Sequence, residues 1–358
     1  CRIKSTLNDS FNSEIRIGFD RSKQRIPNIK NPKMLFIYIN YLDSKITDNP
    51  VLDAKRIYEP FVKYIDSVSY GQSHWQIEVF PTYIQIPHRM TEYDIVDNRN
   101  YNVFAQIRDA IKASENYVNL TQYDQIVFIP SSDLIFPVGP ALQNMSDRIE
   151  YLTSKDGVLR SVVVAGRDWR NSDLAWIWLA HETIHNYGLP HNGLYTDSSY
   201  TRPIWDVMDA MDTRTSELFS WTRWLIGWLK DNQVHCIERE NPRTFVTTHE
   251  LSPVEVSDSN LKMIAVPIAA DKIVVIESRR SAGMDNFDSK YEGLVAYLVD
   301  TSKGMDQGAI TMLSDTPKMA EGSIAGNLTV GGSLEKYGIT IKYLSKNDTF
   351  DYVQVIVG

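Results

Sequence analysis

One short run constrains this chain more than any other feature: the segment HETIHNYGLPH, from His181 to His191. Positions four apart on an α-helix lie on one face, a turn apart, so His181 and His185 can direct their imidazoles at one ion. Gly188 can then end the helix in a left-handed conformation, which lets His191 supply a third nitrogen. Three protein ligands leave one position of a tetrahedral zinc open, as in catalytic sites. The run therefore predicts one catalytic Zn²⁺ held by His181, His185 and His191.

Glu182, directly after the first histidine, is the predicted catalytic residue. A zinc with an open position lowers the pKa of its bound water to about 7, and a neighbouring carboxylate can take the proton as the water attacks an amide carbonyl. Glu182 is then the general base, and it returns the proton to the leaving amine. Two alternatives stand beside this one: histidines that only satisfy core hydrogen bonds, and a closed zinc site with a fourth ligand, which would not need Glu182.

The run matches, in every defined position, the extended motif of the metzincin peptidases. The resemblance implies a methionine turn below the metal, and Trp205-Asp206-Val207-Met208 resembles that turn in the immune-inhibitor-A type metallopeptidases. We therefore assign Met208, rather than Met211, to the turn; the alternative is two ordinary core methionines. Many members of that group carry Asp where His191 stands, so the third ligand here is of the metzincin type. Further short segments resemble the same group: Ser69-Tyr70-Gly71-Gln72, Leu225-Ile226-Gly227-Trp228-Leu229 and Glu277-Ser278-Arg279-Arg280.

The resemblance also implies secretion, zinc-dependent endopeptidase activity and structural Ca²⁺. No Asp- and Asn-rich loop of the EF-hand kind occurs, so spacing singles out no calcium ligands. Zinc peptidases often use a phenol to stabilise the oxyanion, and three tyrosines close to the ligands are candidates for that role. Taken singly, each is more often an ordinary packed or exposed tyrosine. They are Tyr187, Tyr195 and Tyr200.

The hydrophobic patterns predict an α+β fold in three segments. Residues 1–32 are polar and contain Pro27 and Pro32, which indicates a tether or an extended arm. Residues 33–232 interleave strand and helix patterns, and with the motif they predict a metzincin-like catalytic domain with a twisted mixed sheet and an active-site helix. Residues 233–358 are rich in short Val, Ile, Thr and Tyr runs, which indicate a β-rich C-terminal domain, a β-sandwich.

Several elements can be placed from periodicity alone. A buried strand is predicted over Met34–Tyr41, followed by a helix with apolar positions from Ala54 to Val68. The active-site helix is predicted to start at a Ser172 cap, to carry Asp173 in its first turn and to stop at Gly188. An amphipathic helix is predicted over 218–229, and further strands over 125–129, 161–165, 272–277, 293–299, 339–344 and 352–357.

The composition of the chain limits which classes of partner and which cellular locations are expected. The net charge of −8 argues against nucleic acid or an anionic membrane as main partner. No apolar stretch approaches the roughly 20 residues of a transmembrane helix, so we expect a soluble chain. The acidic charge favours a monomer. With two cysteines only, one of them Cys1 at the end of the sequence, no disulfide framework is expected. Cys1 is either the lipid-anchored first residue of a surface lipoprotein or an arbitrary chain start.

Together these features predict a secreted or cell-surface zinc endopeptidase whose substrate is a protein or peptide. Two alternatives remain open. One is a non-catalytic surface binding or adhesion protein on a metallopeptidase fold, which the presence of Glu182 disfavours. The other is a zinc amidase that uses the same chemistry on cell-wall peptide.

Overall fold

The computed structural model describes residues 17–19, 26–28, 30–46, 48–93, 102–131, 141–143, 152–170, 173–193, 204–209, 211, 213–238, 244–304, 307–314 and 326–358. The first part of the chain contains both helices and strands, in this order: β1 (Lys33–Asn40), α1 (Pro50–Val68), β2 (Gln76–Val79), β3 (Ile84–Gln85), α2 (Val103–Ser114), β4 (Gln125–Pro130), β5 (Ala141–Gln143), β6 (Thr153–Ser154), β7 (Gly157–Val158), β8 (Ser161–Val164), α3 (Ala175–Asn186) and α4 (Ser220–Ile226). The remainder is mainly strand: β9 (Val234–Cys236), β10 (Phe245–Leu251), β11 (Met263–Pro267), β12 (Lys272–Arg279), β13 (Gly293–Asp300), β14 (Ile310–Met312), β15 (Asn327–Leu328), β16 (Ser333–Lys336), β17 (Ile339–Lys346) and β18 (Asp351–Val357). The fold is α+β, as the sequence predicts.

The first sheet has the strand order β2-β1-β4-β8-β5, and β3 also pairs with β1. Its strands are parallel except β5, which runs antiparallel to β8. Alternate side chains of β1 face opposite ways, because successive residues of a strand point to opposite faces. Phe36 belongs to the core cluster of α1 and α3, whereas Ile37 belongs to the cluster of α2. The sheet is thus covered by helices on both faces, which explains the continuous apolar run of β1.

Helix α3 is fixed to the sheet by a buried polar latch. Gln125, at the start of β4, donates through Nε2 to Thr183 Oγ1 at 2.9 Å and accepts at Oε1 from Asn186 Nδ2 at 2.8 Å. Thr183 lies on the side of the helix opposite His181 and His185, since two residues correspond to about 200° of rotation. The hydrogen bonds of Gln125 therefore fix the rotation of α3, so that the face with the two histidines points away from β4.

Two helix boundaries differ from the prediction. Helix α3 begins at Ala175, with Leu174 as an N-cap that has no side-chain hydrogen bond, so Asp173 precedes the helix; Ser172 lies outside the described residues. Its end is as predicted, since Gly188 follows with φ 87°. Helix α4 spans Ser220–Ile226 instead of 218–229, because Gly227 at φ 92° caps its C-terminus. The sequence predicted a longer helix because Leu218 before it and Trp228 after it are also buried and extend the apolar pattern.

The C-terminal strands form two further sheets, ordered β14-β13-β12-β11-β9, with β15 on β13, and β10-β18-β17-β16. Ile264 and Ile276 of the first of these sheets share a core cluster with Val353 and Val355 of the second, so the two sheets pack face to face as the layers of a sandwich do. The opposite face of the same sheet contributes to the large core around α1 and α3. This core includes residues on both sides of the predicted boundary at 232, and the boundary itself stays a prediction.

The described residues of the N-terminal segment form a packed arm on α4 rather than a free tether. Ile17 and Ile26 are buried, and Trp221 donates from Nε1 to the Ile17 carbonyl at 2.9 Å. The rings of Phe19 and Trp221 pack edge to face, with centroids 5.6 Å apart. The prediction of a tether or an extended arm over residues 1–32 as a whole stays a prediction.

Cys236, in β9, is disulfide-bonded, which corrects the expectation drawn from the two-cysteine count. Cys1, the other cysteine of the sequence, lies outside the described residues. Across the described ranges, no helix combines the length and the apolar character needed to span a membrane.

The packed arm predicts that Ile26→Ala lowers the free energy of unfolding by about 2 to 5 kcal/mol, because the substitution leaves a cavity in the core. Ile46→Ala is the matched control, since Ile46 is 58% exposed and Ile26 only 1%. Urea unfolding of both variants measures the difference. Equal stability losses in the two variants would contradict a packed arm.

Candidate metal centre

Three imidazoles converge where α3 ends. His181 and His185 project from one face of the helix, and the turn at Gly188 returns the chain so that His191 meets them. The Nε2 atoms of the three rings form a triangle in which each pair is 3.1 Å apart. These ligand atoms all lie within 4.8 Å of one another, and in the described part of the chain no carboxylate or thiol joins the group.

The ring tautomers suit metal binding. His181 places Nδ1 2.8 Å from the Val207 carbonyl oxygen, and His185 places Nδ1 2.7 Å from that of Leu189. A carbonyl can only accept, so these Nδ1 atoms carry the protons and both Nε2 atoms present lone pairs to each other. Two facing lone pairs at this distance repel unless a cation binds both.

The spacing also fits a metal ion. Tetrahedral zinc with Zn–N bonds of about 2.0 to 2.1 Å needs nitrogens about 3.3 to 3.4 Å apart. The observed 3.1 Å is close to this value. The three histidines could therefore bind a metal ion; imidazole ligands suit zinc, copper, iron and nickel.

His185 is held in its neutral form. Burial lowers the pKa of His185, and the neighbouring rings of His181 and His191 lower it further. A ring that stays unprotonated at neutral pH keeps its lone pair for a metal.

The remaining predicted site residues occupy different surroundings. Glu182 is only 6% exposed and follows His181 on α3. Tyr187 directs its hydroxyl into the core: the oxygen accepts from Trp75 Nε1 at 3.1 Å and lies 3.4 Å from Ser73 Oγ. Burial raises the pKa of Tyr187, and these contacts favour a packing role for it. Tyr195 and Tyr200 lie outside the described residues.

Met208 is fully buried beside the histidines' helix, in a turn that contacts the ligands directly. The Val207 carbonyl that orients His181 belongs to this turn. Asp206 shapes the turn: Oδ1 accepts from the Met208 amide at 2.8 Å, and Oδ2 accepts from the Phe219 amide at 2.8 Å, just before α4. The sequence analysis did not assign Asp206 a role, although an Asp that binds the amide two residues later is a common local motif.

Arg279, at the end of β12, ties the same turn to the C-terminal sheets. Its side chain is fully buried, and it donates to the carbonyl oxygens of Trp205 and of Leu218, the latter at 3.1 Å. Three buried carboxylates surround the guanidinium: Glu255 at 3.2 Å, Glu277 at 3.1 Å and Asp285 at 3.1 Å. Sequence reasoning noted this arginine only within a family resemblance, because its partners lie far away in sequence.

A scan against known protein families and a search of curated proteins both find no match to this chain.

The buried carboxylates predict a pH-dependent stability. Burial raises the pKa of Asp285 from 3.8 to about 7 despite Arg279. The folded chain thus keeps a proton that the unfolded chain releases, so this residue makes unfolding easier as the pH rises from about 4 to about 7. Asp285→Asn removes this titrating carboxyl. When the pH is raised from 5 to 8, the free energy of unfolding of the variant should fall less than that of the native chain. Denaturant unfolding at both pH values measures this.

Asp288→Asn is the control for this comparison. Asp288 is exposed, and a hydrogen bond from the Lys290 amide lowers its pKa, so it is ionised throughout the window. The control should follow the native chain. The same pH dependence in the Asp285→Asn variant would contradict the assignment.

Proposed function

We propose that this chain is a zinc-dependent endopeptidase with a metzincin-like catalytic domain, in which His181, His185 and His191 hold the ion. The proposal rests on the triangle of three Nε2 atoms, each 3.1 Å from the others. Backbone carbonyls orient two of the three rings, those of His181 and His185. The absence of a fourth Cys, Asp or Glu from this group, within the described residues, supports an open site over a closed one.

Glu182 is the proposed general base. A zinc ion bound by the three histidines would polarise a substrate carbonyl and make water acidic enough to react near neutral pH. Glu182 is next to His181 on the same helix and is almost fully buried, so it is shielded from bulk water. Its carboxylate accepts a proton from the attacking water and donates it to the leaving amine. Shielding from solvent keeps this proton for the amine.

The sheet edge beside α3 supports an extended peptide as the substrate. Strand β5 is the last strand in the order of this sheet and pairs antiparallel with β8, and it also contacts α3. No strand in the described part of the chain pairs with its other side. An edge strand offers backbone N–H and C=O groups to an extended chain, and peptides commonly bind in this way.

The disulfide at Cys236 supports a secreted or cell-surface location, because disulfides persist in oxidising compartments and are rare in the cytosol. On this proposal the two facing C-terminal sheets form a β-sandwich that braces the catalytic domain. By its resemblance to the metzincins, the turn at Met208 would support the histidines that hold the ion.

Replacing Glu182 should separate metal binding from catalysis. Glu182→Gln should retain zinc and lose roughly 100- to 10,000-fold in kcat, the usual contribution of a general acid–base group. Zinc content by elemental analysis and cleavage of a quenched protein substrate measure the two effects. Glu59→Gln, at an exposed position on α1, is the matched control and should behave as the native chain. Undiminished cleavage by Glu182→Gln would sink the mechanism.

Replacing a ligand should remove the ion itself. His185→Ala should lose stoichiometric zinc and all chelator-sensitive cleavage, because two imidazoles bind zinc far more weakly than three. His88→Ala, whose side chain is half exposed, should keep both. Parallel digests of casein and of a peptidoglycan fragment then test the substrate class. Cleavage of the fragment alone would favour the amidase, and bound zinc without any cleavage would favour the binding protein.

A further inference from the structure

The loop that carries the third ligand is held by two other parts of the chain. Asn192, directly after His191, is buried, and the peptide between Asn192 and Gly193 forms hydrogen bonds through both its carbonyl and its amide. His181 and His185 are fixed by their helix. His191 lies beyond the end of that helix, so its position depends on what holds the loop.

The first contact comes from the methionine turn. Asp209, directly after Met208, accepts a hydrogen bond at Oδ1 from the Gly193 amide at 2.8 Å. Its own amide donates to the Asp206 carbonyl at 3.0 Å, so the side chain is held by the turn that also orients His181. Asp209 is only 3% exposed. A charged acceptor in a buried site makes a hydrogen bond stronger than a neutral pair does.

The second contact comes from the C-terminal sheet, more than a hundred residues further along the chain. The Ile310 amide donates to the Asn192 carbonyl at 2.8 Å, and the Gly308 amide donates to the Gly193 carbonyl at 3.0 Å. Ile310 opens β14 and is buried in the large core, and the Asp300 amide binds the Ala309 carbonyl at 2.8 Å. The loop thus lies between the methionine turn and a segment that is itself anchored in the sheet.

We propose that Asp209 is a positioning residue for His191, and that it acts with residues 308–310 of the C-terminal sheet to set the third metal ligand. The inference rests on the proposed metal site, but it does not require that the bound metal cut peptides. The C-terminal sheets are then part of the metal centre instead of an appendage to it. Residues that orient metal ligands typically contribute 10- to 100-fold to metal affinity.

The test compares Asp209→Ala with Asp209→Asn in the full chain. The alanine removes the acceptor for the Gly193 amide, whereas the asparagine keeps an oxygen at the same place. We expect Asp209→Ala to bind Zn²⁺ about 10- to 100-fold more weakly in a competition titration with a chromogenic chelator. Asp209→Asn should recover most of the affinity.

A merely structural role is excluded by a second readout. Co²⁺ in place of zinc gives an absorption spectrum that reports its ligands, and in Asp209→Ala this spectrum should change as His191 leaves the ion. Asp288→Ala is the matched control, because Asp288 also accepts a backbone amide hydrogen bond, from Lys290 at 3.1 Å, on the surface. It should retain the native affinity and spectrum. Circular dichroism checks that each variant is folded.

Native affinity and an unchanged Co²⁺ spectrum in Asp209→Ala would overturn the inference. An equal loss in Asp209→Ala and Asp209→Asn would also overturn it, since the asparagine retains the acceptor. Failure of the proposed function looks different: metal bound as described, with no cleavage of any peptide by the native chain. A native chain that binds no metal would contradict both.

Discussion

The structure around α3 depends on one electrostatic constraint, the meeting of three imidazole nitrogens at 3.1 Å. Two of these nitrogens present lone pairs, because the opposite nitrogen of each ring donates to a backbone carbonyl. Without a cation this arrangement is repulsive, and with one it becomes a set of three ligands. Three contacts hold the rings in place. Gln125 binds the helix of the histidines, Asp206 accepts a hydrogen bond within the turn that orients His181, and the buried Arg279 donates to the Trp205 carbonyl of that turn.

The candidate metal centre is held in place by distant parts of the chain. Arg279 comes from β12 and reaches the Trp205 carbonyl across 74 residues of sequence. Its guanidinium lies within 3.2 Å of three buried carboxylates, those of Glu255, Glu277 and Asp285. The turn at residues 205–209 therefore lies between the helix of the histidines and the C-terminal sheets.

The sequence predicted the parts of this arrangement that are local. His181 and His185 are four residues apart on one helix, and the stop at Gly188 follows from a backbone conformation that glycine favours. The helix α1 was placed from periodicity, and its buried residues from Ala54 to Val68 confirm it. Helix α4 was predicted too long because burial of Leu218 and Trp228 continues the apolar pattern beyond the helix ends. The packing of Ile17 and Ile26 was missed because an arm without regular periodicity gives no pattern to detect.

The long-range contacts had no such local signal. Asp206, Arg279 and Asp209 look like ordinary charged residues in the sequence, and only the fold shows that each is buried against a backbone group of the site. Zinc X-ray absorption on the purified chain tests the proposed zinc site most directly. We expect three imidazole nitrogens and one oxygen at about 2.0 to 2.1 Å, the shell of an open catalytic zinc. A shell closed by a fourth protein ligand such as sulfur, or the absence of bound zinc, would contradict it.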